Sequence, residues 1–123
     1  MDAEGYGYLK YLFDETEIHY ETITAEKAKE IMDSSEYILL DVREEFEYAE
    51  GHIPGANLLP VRMMSPSSVN KIAPDRDGIV LIYCKSGNRS KVAAQYMVDL
   101  GYTNVYEFGG IQDWPYETVK DEE

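Results

Sequence analysis

Residues 79–101 read "IVLIYCKSGNRSKVAAQYMVDLG". The stretch opens on an apolar run, Ile79, Val80, Leu81, Ile82 and Tyr83, of the kind that fills a strand buried on both faces. It closes on Ala93, Tyr96, Met97 and Leu100, spaced to form one face of a helix that Gly101 can end. Between them lies a polar loop, residues 84–89, headed by Cys84, the only cysteine in the chain. Strand, tight loop and helix in this order predict an α/β unit with the thiol at the carboxyl end of its strand. In open α/β sheets ligands bind outside those carboxyl ends, so the thiol stands where chemistry is expected.

The flanking sequence repeats the alternation. Thr24 is placed to cap a helix over "AEKAKEIMDS", whose Ala25, Ala28, Ile31 and Met32 recur at helical spacing. "YILLDV" (37–42) reads as a second buried strand, "REEFEYAE" as a short helix, "GHIPGA" as a turn and "ANLLPV" as a further short strand. "SPSSVNKIA" predicts a helix with Ser65 as its cap and Pro66 in its first position. "TNVYEF" reads as a last strand, and "GGIQDW" begins a last turn or helix. The fold class expected is α/β with a mainly parallel sheet.

Composition narrows the function. The chain has 123 residues, room for one core, and 44% of them are hydrophobic, as a folded domain needs. Its net charge of −13 argues against nucleic acid and anionic membranes as partners. No apolar stretch approaches bilayer length, and the N-terminus shows no secretory pattern. One cysteine forms no internal disulfide, so a soluble, cytoplasmic protein is expected. Two histidines and one cysteine make no metal-ligand spacing, and no cofactor motif follows a strand.

The charge distribution says more than its sum. From Gly78 to Val98 there is no acidic residue, while Lys85, Arg89 and Lys91 all fall there. A thiolate, not a thiol, is the nucleophile. The helix that starts near Asn88 and Arg89 aims its unpaired N–H groups at the loop, and the nearby cations also favour the ionised sulfur. Ser86, Gly87 and Asn88 are small or conformationally permissive, so consecutive N–H groups can turn inward and cradle an anion. A merely structural thiol has no use for such a cradle.

These residues resemble a known family. "CKSGNRS" is similar to the active-site loop of rhodaneses, the thiosulfate sulfurtransferases. "LLDVREEFEYAEGHIPGANLLP" resembles the family's first signature and "GGIQDW" its C-terminal one. The match spans roughly residues 20–116, so 1–19 is read as an N-terminal extension and 20–123 as a rhodanese-like domain. The resemblance implies about five mainly parallel strands flanked by helices on both faces. It implies that Cys84 takes a sulfane sulfur from a small anionic donor, thiosulfate or a persulfide, and passes it to a thiophilic acceptor. Lys85 and Arg89 would hold the donor, and the loop from Lys85 through Ser86, Gly87, Asn88, Arg89 and Ser90 would bind the sulfur. Donor or acceptor can also be a protein. With no second cysteine, a thiol–disulfide cycle within one chain is impossible, which favours release of sulfur to an outside acceptor.

Asp41 and Arg43 fall at the same sheet edge as Cys84, near the loop. Arg43 is expected chiefly to form a structural ion pair with the nearby Glu44, Glu45 or Glu47, the alternative being that it helps hold a donor. His52 is expected to be a hydrogen-bonded turn residue, His19 a surface residue and Trp114 a core residue. "YGYLKYLF" near the N-terminus is expected to pack back on the domain. Two other functions compete. A phosphatase of related fold uses Cys-x5-Arg, one residue longer than the Cys-x4-Arg here. A non-enzymatic sulfur carrier or protein-binding module would use the same loop and the acidic surface.

Overall fold

The computed structural model describes residues 19–120. The elements are β1 (Glu21–Thr22), α1 (Ala25–Ser34), β2 (Ile38–Asp41), α2 (Glu45–Glu50), β3 (Asn57–Leu58), α3 (Pro66–Ile72), β4 (Val80–Cys84), α4 (Asn88–Asp99) and β5 (Val105–Gly110). Short 3-10 turns cover Val61–Met63 and Ile111–Asp113. The five strands form one sheet in the order β1-β5-β4-β2-β3, and every pairing is parallel.

The two sheet faces carry separate apolar clusters. Leu39, Leu81 and Tyr83 pack with Ala28 of α1, Phe108 and Trp114. Leu40, Ile82 and Cys84 pack with Val69 of α3 and Ala93, Ala94 and Met97 of α4. Alternating residues of β2 and β4 thus go to opposite faces, and helices cover both. Each fully buried aliphatic side chain of this kind is worth about 1.5–3 kcal/mol, so the central strands anchor the fold. The caps are as expected: Thr24 accepts from the Lys27 N–H, and Ser65 from the Ser68 N–H, with Pro66 opening α3.

Two elements differ from expectation. "ANLLPV" yields only the two-residue β3, because Pro60 has no N–H to continue a ladder and the chain turns at Val61. β1 was not anticipated. It is two residues long and is held by its pairing to β5, some 85 residues away. Trp114 lies in the core, and His19 is exposed, as expected. "YGYLKYLF" lies outside the described residues. No helix among the described residues is long and apolar enough to cross a membrane.

Pairing between β4 and β5 contains the feature that shapes the site. Ile82 stands opposite Glu107, but Cys84 stands opposite Gly110. Two steps on β4 therefore match three on β5, which is a bulge. The bulge presses Gly110 against the loop that follows Cys84.

Candidate active site

Cys84 ends the central strand β4 and is 1% exposed. The chain then turns through Lys85 and Ser86 to Gly87, whose φ of 111° lies in the left-handed region that favours glycine. That conformation swings the Gly87 N–H back to donate to Cys84 Sγ at 3.0 Å. α4 begins at the next residue, so its unpaired N–H groups face the sulfur.

Burial pushes the Cys84 thiol up. Hydrogen bonds from the Ser90 hydroxyl and from the N–H groups of Ser90, Gly87 and Ser86 outweigh it, and the pKa falls below the ordinary thiol value. Ser90 has only one hydroxyl proton, and its Oγ lies 2.7 Å from Glu107 Oε1 and 3.0 Å from the Gly87 carbonyl. The carboxylate makes the shorter, charge-assisted contact. The backbone N–H groups are therefore the firmer support of the thiolate.

The loop side chains divide. Gly87 and Ser90 are buried around the sulfur, whereas Lys85, Ser86 and Asn88 are exposed. Lys85 has no carboxylate partner among the described residues. Arg89 is turned to Glu47 of α2 in a two-pronged ion pair of 2.8 and 3.0 Å. Lys91 meets Glu107 at 3.3 Å.

Asp41 and Arg43 form a buried ion pair next to the loop. The Arg43 guanidinium donates to Asp41 at 2.9 and 2.7 Å, and to the Gly51 carbonyl at 2.7 Å. The pair joins Asp41, not the glutamates that follow Arg43 in sequence. Tyr83 of β4 donates to the same carboxylate at 2.6 Å and accepts from the Ile53 N–H. Burial and the Asp41 charge push the Tyr83 hydroxyl far up, so it serves as a fixed donor. His52 is a turn residue, its Nδ1 2.8 Å from the Tyr48 carbonyl and its ring stacked on Tyr48.

Two residues escaped the sequence reading. Glu107 is fully buried in β5, where Thr22, Ser90 and the Gly109 N–H all donate to it. Burial alone raises its pKa; those hydrogen bonds and Lys91 bring it below the ordinary carboxyl value. A charge inside the apolar run "VYEF" was the available signal. Glu47 was hidden among neighbouring glutamates, and its partner lies 42 positions away.

The Glu47–Arg89 pair yields a pH prediction. Chiefly the Arg89 hydrogen bond, helped by the Glu44 N–H, lowers the Glu47 pKa from 4.5 to about 2. A depressed carboxyl contributes stability that is complete above the unfolded value and is lost as pH falls toward the folded one. Unfolding free energy should therefore drop by about 1–2 kcal/mol between pH 4.5 and 2 from this group, after allowance for solvent screening. Urea titrations of Glu47→Gln should lack that portion of the acid limb. An identical acid limb in wild type and variant would contradict the assignment.

The family model for the rhodanese-like domain matches residues 24–116. A sulfurtransferase of Allochromatium vinosum is 39% identical over 88 residues, covering 71% of this chain and 79% of its own. A tRNA uridine(34) hydroxylase of Yersinia pestis is 31% identical over 107 residues, 83% of this chain but only 30% of the hydroxylase. Among solved structures, a human single-domain sulfurtransferase superposes with a TM-score of 0.65 at 28% identity, covering 76% of this chain and 93% of the human one.

Proposed function

The chain belongs to the rhodanese-like domain family, and from that membership we propose that it is a sulfurtransferase working through a persulfide on Cys84. The observation that carries the reading is the sulfur itself: Cys84 Sγ lies 3.0 Å from the Gly87 N–H, at the mouth of α4, with a lowered pKa.

The Cys84 thiolate attacks the terminal sulfur of a sulfane donor, thiosulfate or a persulfide-type anion. The donor's S–S bond breaks, and its electron pair leaves with the departing group, sulfite in the case of thiosulfate. The outer sulfur stays on Cys84 as Cys–S–S⁻, and the loop N–H groups offset its charge. An acceptor then attacks that outer sulfur, and Cys84 departs as thiolate. A lowered thiol pKa makes it a better leaving group in this second step. The same lowering raises the fraction of thiolate available to attack in the first step.

The test is turnover. Sulfur transfer to cyanide, read as thiocyanate, should proceed in the wild type and be lost at least about a thousandfold in Cys84→Ser, the scale of removing a covalent nucleophile. Stoichiometric sulfur uptake without turnover would move the reading to a sulfur carrier. Undiminished turnover in Cys84→Ser would overturn both.

A further inference from the structure

A groove of about 620 Å³ opens beside the Cys84 loop, and its wall includes Lys85, Glu47, Glu50, Phe46, Trp114 and Tyr116. Its electrostatics do not suit a small dianion. Arg89 is held by Glu47 in the two-pronged pair, and Arg43 by Asp41. Lys85 is the one cation here left without a carboxylate among the described residues, and Glu50 on the same wall opposes it. Beyond the groove, a chain of net charge −13 repels a dianion about twice as strongly as a monoanion. The wall instead offers aromatic surface. Phe46 is 67% exposed and Tyr116 38%, with the Trp114 ring meeting Tyr116 edge-on at a centroid distance of 5.0 Å.

Resting on the sulfurtransferase reading, we propose that the preferred donor is an organic monoanion, a thiosulfonate or alkyl persulfide whose apolar body lies against Phe46 and Tyr116. Glu47 sets the preference by neutralising Arg89. With a thiosulfonate, R–SO₂–S⁻, the Cys84 thiolate attacks the terminal sulfur. The S–S bond breaks, the electron pair leaves with the sulfinate R–SO₂⁻, and Cys84 keeps one sulfur as the persulfide. Two negative charges enter and two leave, with no outside oxidant or reductant. With thiosulfate the same step releases sulfite, but three negative charges must gather at a mouth whose arginines are already paired.

The experiment is single-turnover loading of Cys84, followed by intact mass, with benzenethiosulfonate and with thiosulfate. Each rate is divided by that of the same donor with free cysteine, which removes intrinsic reactivity. Benzenethiosulfonate should lead by about tenfold or more in wild type, the scale of one unit charge at a half-exposed site. Glu47→Gln, which keeps an oxygen for the Glu44 N–H, should raise the thiosulfate rate by about tenfold and the benzenethiosulfonate rate by only about threefold, since the effect scales with donor charge. Glu50→Gln, at an exposed position with little risk to folding, should narrow the ratio in the same direction. Phe46→Ala should slow benzenethiosulfonate alone. A normalised preference for thiosulfate, or a ratio unmoved by both glutamate variants, would overturn this inference and leave the sulfurtransferase reading standing. Failure of both donors to load a Cys84 that still reacts with iodoacetamide would instead remove the sulfurtransferase reading.

Discussion

Gly110→Ala should slow sulfur loading on Cys84 by about a hundredfold. The glycine has an ordinary extended backbone, φ −140°, so conformational strain is not the reason. Space is. A Cβ at this position would lie 1.7 Å from the Lys85 carbonyl oxygen, 2.1 Å from its carbon and 2.5 Å from the Ser86 nitrogen. All three are backbone atoms of the loop that follows Cys84, so no side chain can swing aside. The loop must move, and with it the N–H groups that face the sulfur. A displacement of an ångström in a reacting group costs about a hundredfold in rate. Overpacking adds about 1–3 kcal/mol of lost stability, or more where backbone is struck. Gly109→Ala is the control. Its φ of 84° strains an alanine, but nothing lies within 4 Å of the new carbon. That variant should lose about 1–2 kcal/mol and keep most of its loading rate. Single-turnover loading and urea midpoints of the two variants separate the effects. A Gly110→Ala protein that loads as fast as Gly109→Ala would contradict the close approach.

Asp41→Ala should be the most destabilising of the polar substitutions near the site. Asp41 is fully buried, and its carboxylate accepts from the Arg43 N–H, the Arg43 guanidinium and the Tyr83 hydroxyl. Removing it leaves a buried guanidinium with only the Gly51 carbonyl and a buried phenol without its acceptor. Breaking one side of a buried ion pair costs about 3–5 kcal/mol, a large part of a domain's usual ~5–15 kcal/mol. Asp41→Asn should cost less, because the amide oxygen can still accept from Tyr83. Equilibrium urea unfolding reads both. A loss under about 1 kcal/mol in Asp41→Ala would show that the network contributes little.

The sequence disclosed what depends on neighbours along the chain. The order of β4, loop and α4 follows from an apolar run, a permissive Ser-Gly-Asn segment and helical spacing within 23 residues. Caps such as Thr24 and Ser65 are equally local. What escaped depends on partners far apart in sequence. β1 exists because β5 offers it an edge. The crowding at Gly110 comes from a bulge defined only once β4 and β5 are in register. Arg89 read as a free cation because Glu47, 42 residues earlier, was one glutamate among several. The expected contribution of flanking cations to the thiolate therefore gives way to backbone N–H groups as its firmer support.

A sulfur carried on Cys84 is read out by intact mass. Wild-type protein and Cys84→Ser are incubated with benzenethiosulfonate and, separately, with thiosulfate, then desalted and weighed, before and after cyanide. The wild type should gain one sulfur atom, lost again on cyanide treatment and absent from the variant. An equal gain in Cys84→Ser, or no gain from either donor in a wild-type protein whose Cys84 is still open to alkylation, would contradict it.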